Sequence, residues 1–173
     1  MGQSPRLDGT LGGVHRFGRR SKVLVVEGTI RTTETSAPPD IVFGVAADLE
    51  AYPEWADGVV EVVVLERDDA GRPTLAAFVL DGFIKRISYE LEYEYDSPHT
   101  ISWKAVPGVD IKAMEGYYEF SPTDGGGTAI AYALRVAPNF AVPGFLRRQA
   151  EKQIVQAALR GLRLRAEEQQ DAE

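Results

Sequence analysis

The sequence contains no cysteine and only two histidines, which excludes several kinds of chemistry. Without cysteine there is no disulfide framework, no thiolate nucleophile and no thiolate metal site. His15 and His99 fall in a basic N-terminal segment and a predicted turn, without the spacing of a metal site. No apolar run has the length of an integral membrane segment, and no signal-peptide core precedes residue 22. We therefore expect a cytoplasmic protein without a metal or cofactor.

The net charge of −7 is distributed unevenly along the chain. Residues 1–22 carry five Lys or Arg and one Asp, and residues 143–165 carry six basic residues and one Glu. Residues 23–142 carry eight basic and twenty acidic residues. An acidic body argues against a broad nucleic-acid-binding face, so we expect no nucleic-acid partner. The basic, glycine-rich residues 1–21 are predicted to form a flexible leader that is dispensable for folding.

The N-terminal part of the folded region predicts one strand followed by two short helices. Residues 22–37 are rich in β-branched residues and partly alternating, which is typical of a strand. A helix is expected to begin near Pro39, because proline is tolerated in a first helical turn. Pro53 is expected to interrupt that helix, because its ring disfavours helical backbone geometry in Tyr52. The bend at Pro53 therefore predicts a second short helix formed by Tyr52 to Trp55.

Six further strands are predicted between residues 58 and 138, joined by turns rich in Asp and Gly. The alternation is clearest where apolar residues share one face of a strand, namely Ile87, Tyr89, Leu91, Tyr93 and Tyr95. The glutamates between them belong to the solvated face of this strand and not to a carboxylate site. Gly125 to Gly127 lie between two strands and open no helix, so they form a turn and not a phosphate loop.

A long helix is predicted over residues 143–168. At about 100° per residue, small and apolar residues share the face that we expect to point inward: Leu146, Ala150, Ile154, Ala157, Gly161 and Leu164. Gly161 alone lowers helix stability by about 1 kcal/mol relative to Ala. Two explanations stay open for these small residues. They allow close packing of the helix on the sheet, or they border a space beneath a helix that stands off the sheet.

This order of elements predicts a single domain over residues 22–168 with an α+β helix-grip fold, followed by a tail at 169–173. About seven antiparallel strands would curl around the C-terminal helix, with two short helices after strand 1. The motifs "VAADLEAYPEW", "YEYDSPHTISWK" and "VPGFLRR" resemble those of the START-like (SRPBCC) superfamily. Within it the chain is similar to the polyketide cyclase/dehydrase and coenzyme-Q-binding branch, over residues 30–168.

The resemblance implies a ligand space between sheet and helix and leaves three functions open. The first, which we favour, is binding or carrying of a small hydrophobic molecule such as a lipid, quinone or polyketide. The second is a polyketide cyclase/aromatase, so whether the chain is an enzyme stays undecided. The third is a protein-interaction module of the ribosome-associated toxin type. This third function needs an exposed apolar or basic patch and a protein partner that the sequence does not identify.

The residues predicted to line this cavity come from the second short helix, the strands and the long helix: Trp55, Phe78, Tyr93, Trp103, Tyr118, Tyr132, Arg147, Ala150, Ile154, Ala157 and Gly161. A volume of about 300–1,000 Å³ is typical of such sites. Tyr132, Arg147 and Asp81 are the candidates for proton transfer, and Lys112 is expected to share the concave face. The alternative for each of these polar residues is a salt bridge or solvent exposure. For Trp55 the alternative is packing of the short helices on the sheet.

Overall fold

The computed structural model describes residues 28–82 and 84–173 and shows an α+β fold within them. The elements follow in chain order as β1 (Thr29–Thr35), α1 (Pro39–Ala47), a 3₁₀ turn (Leu49–Ala51), α2 (Tyr52–Trp55), β2 (Val59–Arg67), β3 (Pro73–Asp81), β4 (Arg86–Asp96), β5 (Thr100–Val106), β6 (Ile111–Pro122), β7 (Thr128–Pro138) and α3 (Gly144–Ala172). The seven strands form one sheet in the order β1-β7-β6-β5-β4-β3-β2. The predicted helix-grip fold is confirmed. The leader and residues 22–27 of the predicted first strand lie outside the described residues.

The concave face of the sheet is built from alternating aromatic and aliphatic side chains. In β4 Ile87, Leu91 and Tyr93 are buried, whereas the residues between them are more exposed. Antiparallel pairing places residues of adjacent strands side by side, so their rings meet across the sheet. The ring centroids of Trp103 and Tyr118 are 5.3 Å apart, and those of Tyr118 and Tyr132 are 4.5 Å apart. This aromatic surface is the floor of the space beneath α3.

Lys112 is exposed on the outside of the sheet, so its predicted place on the concave face is wrong. The register of β6 against β7 shifts between Ile111 and Ala113. A bulge of this kind inserts one residue and reverses the alternation of side chains beyond it. Ile111 and Met114 are therefore both buried. In a regular strand two residues three positions apart would point to opposite faces.

Of the two short helices, α2 lies against β2, whereas α1 packs against α3 and β6. Tyr52 has helical backbone angles (φ −55°, ψ −39°) although Pro53 follows it, so the expected effect of Pro53 on Tyr52 is wrong. Pro53 instead lies in the first turn of α2, where the missing amide hydrogen leaves no intrahelical bond unmade. The Tyr52 hydroxyl donates a hydrogen bond of 2.7 Å to the Ala46 carbonyl oxygen and thereby joins α2 to α1.

The face of α3 that is buried differs from the predicted one. The sheet and α1 cover one side of the helix, whose buried residues are Glu151, Val155, Leu159, Leu162 and Ala166. Leu146 and Leu164, which belong to the predicted inward face, remain 40% and 41% exposed. The helix carries apolar residues on both sides, and it packs with the side that has the larger aliphatic residues against β1 and β7. It also continues to Ala172, so the predicted tail is mostly helical.

Gly161 marks the point where α3 passes closest to α2. A Cβ atom on Gly161 would collide with the Trp55 carbonyl oxygen and would lie 3.0 Å from Cε3 of the indole. Arg165 forms an ion pair of 2.7 Å with Glu54, and the Thr35 hydroxyl donates a 3.0 Å hydrogen bond to Glu167. The C-terminal half of α3 is thus held against α2 and β1, and for Gly161 close packing is the explanation that applies.

Substitution of Gly161 tests this contact. Alanine favours a helix interior over glycine by about 1 kcal/mol, so the change would stabilise an unobstructed helix. Because the added methyl group meets the backbone of Trp55, we expect Gly161→Ala to lower the free energy of unfolding by about 1–3 kcal/mol instead. Gly144→Ala is the matched control, because the only described atom near its Cβ belongs to the flexible Arg148 side chain, at 3.5 Å. Equal effects of the two changes in urea unfolding would contradict the proposed close contact.

Candidate functional site

Two adjoining cavities lie beneath the N-terminal half of α3, where the helix is not held against α2. The outer cavity has a volume of about 250 Å³ and lies between the start of α3, the β3–β4 connection and the end of β7. The inner cavity has a volume of about 80 Å³ and lies over the aromatic floor of the sheet. Leu80 and Ile154 line both cavities and form the boundary between them. Neither cavity alone reaches the predicted range of about 300–1,000 Å³.

Seven of the 16 residues that line the inner cavity are aromatic. It is lined by Tyr52, Ala56, Asp57, Val59, Phe78, Leu80, Tyr89, Leu91, Tyr93, Trp103, Met114, Tyr118, Tyr132, Leu134, Ile154 and Ala158. The Trp103 indole lies against Gly116, where a Cβ would be 2.6 Å from the indole atom Cζ2. The absence of a side chain at Gly116 therefore leaves room for the indole, which would otherwise be displaced toward the cavity.

Phenol hydroxyls are the most numerous polar side-chain groups around this site, beside the Asp57 carboxylate and the Trp103 indole. The Tyr52 and Tyr95 hydroxyls donate to backbone carbonyl oxygens, whereas no hydrogen bond between described residues involves the hydroxyls of Tyr93, Tyr118 and Tyr132. Burial raises the pKa of each of these three tyrosines well above its ordinary value of 10.0. They are therefore neutral at physiological pH. A neutral phenol donates a hydrogen bond to a carbonyl or quinone oxygen, but it is a poor general base.

The outer cavity is apolar in its interior and has basic groups at its rim. Its walls are formed by residues from four parts of the chain: Leu80, Gly82, Ile84, Lys85, Ile87, Ile111, Val136, Pro138, Phe140, Val142, Leu146, Arg147, Gln149, Ala150, Glu151 and Ile154. Lys85 is paired with Asp110 at 2.6 Å, and its ammonium lies 4.8 Å from the centre of the Phe140 ring. Arg147 is exposed, and no ion pair joins it to another described residue.

Most of the predicted site residues line one of the two cavities, and the others lie elsewhere in the fold. Phe78, Tyr93, Trp103, Tyr118 and Tyr132 line the inner cavity, Arg147 and Ala150 line the outer one, and Ile154 lines both. Trp55, Ala157 and Gly161 line neither cavity. The Trp55 indole packs on Tyr52 with ring centroids 4.6 Å apart, and its Nε1 is buried without a hydrogen-bond partner among the described residues.

Asp81 is not part of the cavity walls. It is exposed at the end of β3 and forms a paired contact with Arg86, whose Nε and Nη2 donate hydrogen bonds of 2.7 and 3.3 Å to the carboxylate. The hydrogen bond from Arg86 lowers the pKa of the Asp81 carboxyl, so this residue is an ionised partner in a surface salt bridge. Its predicted place as an inward-facing candidate for proton transfer is wrong.

Several wall residues were missed by the sequence analysis. Tyr89 shares the strand face of Tyr93, so the alternation of β4 contained the signal that would have identified it. Ile84, Phe140 and Val142 lie outside regular elements, where no periodicity predicts the direction of a side chain. Asp57 borders the inner cavity from the turn between α2 and β2. Its position depends on Gly58, which has a φ of 88°.

Two other features concern residues 28–82 and 84–173, namely a metal site and a membrane-spanning helix. No group of three or more His, Asp or Glu side chains is placed to hold a metal ion there. None of the helices in this part of the chain combines the length and apolar composition needed to cross a bilayer.

The chain is similar to known proteins in its sequence and in its fold. A family model described as polyketide cyclase/dehydrase and lipid transport matches residues 27–167. No curated protein sequence matches the chain. Among solved structures, a START superfamily protein from Mycobacterium smegmatis is similar with a TM-score of 0.74 and 20% identity, over 81% of this chain and 97% of that one.

Two further solved structures show the same fold. The Zhui aromatase/cyclase from Streptomyces sp. R1128 has a TM-score of 0.71 and 17% identity, over 80% of this chain and 92% of that one. A fragment of a STAR-related lipid transfer protein from Xanthomonas axonopodis has a TM-score of 0.61 and 20% identity, over 82% of this chain and 89% of that one. At these identities the similarity concerns the architecture, and it agrees with the sheet and helix described above.

The buried tyrosines are expected to make the protein less stable as the pH rises into the alkaline range. Their pKa values are raised in the folded state above the ordinary 10.0, so the folded protein keeps its phenol protons where the unfolded chain loses them. Their effect on stability is therefore constant below about pH 10 and is lost above it, by up to about 1.4 kcal/mol per pH unit for each tyrosine. Urea unfolding at pH values on both sides of 10 measures this loss. Above pH 10 we expect the free energy of unfolding of Tyr132→Phe to fall less steeply with pH than that of the wild type. A free energy of unfolding that stays constant through this range would contradict the buried, neutral phenols.

Proposed function

This chain belongs to the polyketide cyclase/dehydrase and lipid transport family, and we propose that it binds a small hydrophobic molecule in the outer and inner cavities. The observation that carries the proposal is the junction of the two cavities at Leu80 and Ile154. An apolar entrance therefore leads toward an aromatic chamber that contains unpartnered hydrogen-bond donors. A few polar groups in an otherwise apolar pocket are typical of small-molecule sites.

The groups around the inner cavity favour a ligand that has a ring and a carbonyl oxygen. Trp103, Tyr118 and Tyr132 present ring surfaces to the cavity, and such surfaces pack well against flat apolar molecules. Their neighbouring phenol hydroxyls remain protonated, so they are suited to donate to a quinone or polyketide oxygen. Ile154 lies where the outer cavity adjoins the inner one, so we infer that a ligand extending from one cavity to the other passes this side chain.

A larger residue at position 154 tests the ligand path. Ile154→Trp would fill the junction, and we expect at least a tenfold weaker binding of a neutral fluorescent probe such as N-phenyl-1-naphthylamine. Leu164→Trp is the matched control, because Leu164 is an exposed apolar residue of the same helix and lines neither cavity. Probe titration and thermal unfolding should be measured on both variants. Unchanged probe affinity in a folded Ile154→Trp protein would contradict binding in these cavities.

Native mass spectrometry of the freshly purified protein addresses the identity of the ligand. A co-purified lipid, quinone or polyketide would appear as a mass added to that of the chain, and its loss in Ile154→Trp would locate it. The protein-interaction alternative needs no internal space, so the two cavities support ligand binding over it.

A second candidate function is polyketide cyclisation, which the cluster of neutral phenols favours. Intramolecular aldol closure of a poly-β-ketone forms a carbon–carbon bond between the α-carbon of an enol and a carbonyl carbon. The π bond of that carbonyl breaks, its oxygen takes up the proton that the enol oxygen gives up, and dehydration then releases water. A phenol that donates to the carbonyl oxygen stabilises the negative charge that develops on it, and the cavity orients the chain. This chemistry needs no metal and no strong nucleophile.

The cyclase candidate predicts an effect of one hydroxyl group. Tyr132→Phe removes a single donor, and for an enzyme we expect about a 10²-fold slower ring closure, which is typical of the loss of one oxyanion donor. Probe binding should change little, because the ring surface remains. The measurement is product formation from a synthetic poly-β-ketone, with Tyr117→Phe as a control outside the cavity. Equal product formation by wild type and Tyr132→Phe, or none by either protein, would leave only the binding function.

A further inference from the structure

The start of α3 borders a second concave surface that the apolar cavities do not explain. An open groove of about 730 Å³ runs between α3 and the edge formed by β1 and β7. Its charged side chains are five basic residues and one acidic one, and the basic residues are Arg31, Arg135, Arg147, Arg148 and Lys152. We refer to this surface as the basic groove. Its charge is opposite to that of residues 23–142, which carry twenty acidic and eight basic residues.

The charges of the basic groove are only partly neutralised by the protein. Arg135 pairs with Glu115 at 3.2 Å. The single acidic residue, Glu151, is buried, and one of its carboxylate oxygens accepts a 3.0 Å hydrogen bond from the Val136 amide. Arg147, Arg148 and Lys152 are exposed, and no ion pair joins them to another of the described residues. The groove therefore presents an excess of positive charge to solvent.

The basic groove and the outer cavity adjoin each other at the start of α3. They share Val136, Arg147 and Glu151 as wall residues. A molecule whose apolar part occupies the outer cavity thus places its other end beside the Arg147 guanidinium. Guanidinium groups bind phosphate and carboxylate through paired hydrogen bonds.

We propose that the ligand is an amphipathic anion, whose apolar part lies in the cavities and whose phosphate or carboxylate lies in the basic groove. This inference rests on the proposed ligand-binding function and defines the chemical class of its ligand. The leader at residues 1–21 is a poor occupant for the same groove, because it carries four arginines and one acidic residue. The same head-and-tail chemistry is offered by a free amphiphile and by an anionic lipid of a membrane.

Paired probes of equal chain length test the proposal on the full chain. Decyl phosphate and 1-decanol share the apolar tail, and only the former carries an anion. We expect decyl phosphate, below its micelle concentration, to displace N-phenyl-1-naphthylamine at about tenfold lower concentration than 1-decanol. Each exposed ion pair contributes only a fraction of the binding free energy that corresponds to a tenfold change in affinity. Several such pairs together produce a difference of this size. Added salt should reduce the difference, because exposed charges are screened.

Charge variants of the basic groove locate the effect. In the double variant Arg148→Gln/Lys152→Gln we expect the advantage of decyl phosphate over 1-decanol to fall to about twofold, with 1-decanol binding unchanged. Arg160→Gln is the matched control, since Arg160 is an exposed arginine of α3 outside the groove. Equal affinity of the two probes in wild type, or an equal loss in the control, would overturn the proposal but not ligand binding. Failure of every probe to bind would instead contradict the proposed function itself.

Vesicles distinguish the two sources of the anion. Co-sedimentation with vesicles of phosphatidylcholine and phosphatidic acid, lost in the double variant, would support the anionic head group and identify a membrane lipid as its source. Displacement by monomeric decyl phosphate without vesicle binding would support a free amphiphile. Vesicle binding that is equal for pure phosphatidylcholine and for the anionic mixture, together with equal affinity of the two decyl probes, would overturn the proposal.

Discussion

The close approach of α3 to α2 at Gly161 is the contact on which the rest of the site depends. Because glycine carries no Cβ, the helix backbone rests directly on Trp55, and Arg165 and Glu167 add polar contacts to Glu54 and Thr35. These contacts hold only the C-terminal half of α3. The two cavities lie beneath the N-terminal half of the helix, beside the aromatic floor of the sheet.

The same arrangement separates two electrostatic environments within a short distance. Tyr93, Tyr118 and Tyr132 are buried, so desolvation keeps their hydroxyls neutral and suited to donate hydrogen bonds. Arg147 lies at the rim, where the outer cavity meets the basic groove, and remains in contact with solvent. A ligand that extends from the chamber to the rim would thus meet neutral donors at one end and positive charge at the other.

The candidate site could be predicted in part. Its residues on regular strands were predictable, whereas those at bulges, strand ends and loops were not. Residues on long antiparallel strands, such as Phe78, Trp103 and Tyr132, were assigned correctly to the concave face because alternation determines their direction. Lys112 and Asp81 were misplaced, the former by a bulge in β6 and the latter by its position at the end of β3 beside Arg86. Loop residues such as Phe140 carry no periodicity, so their place in the cavity wall was not predictable.

The sequence by itself determined the order of the elements, the seven strands and the α+β helix-grip fold, because alternation and turn residues are local properties. Tertiary structure decided which side of α3 is buried. The helix has apolar residues on two sides, and only packing against β1, β7 and α1 selects Val155 and Leu162 over Leu146 and Leu164. It also decided the volume and boundary of the cavities. Those depend on distances between elements far apart in the chain, such as the one between Gly161 and Trp55, which no local pattern encodes.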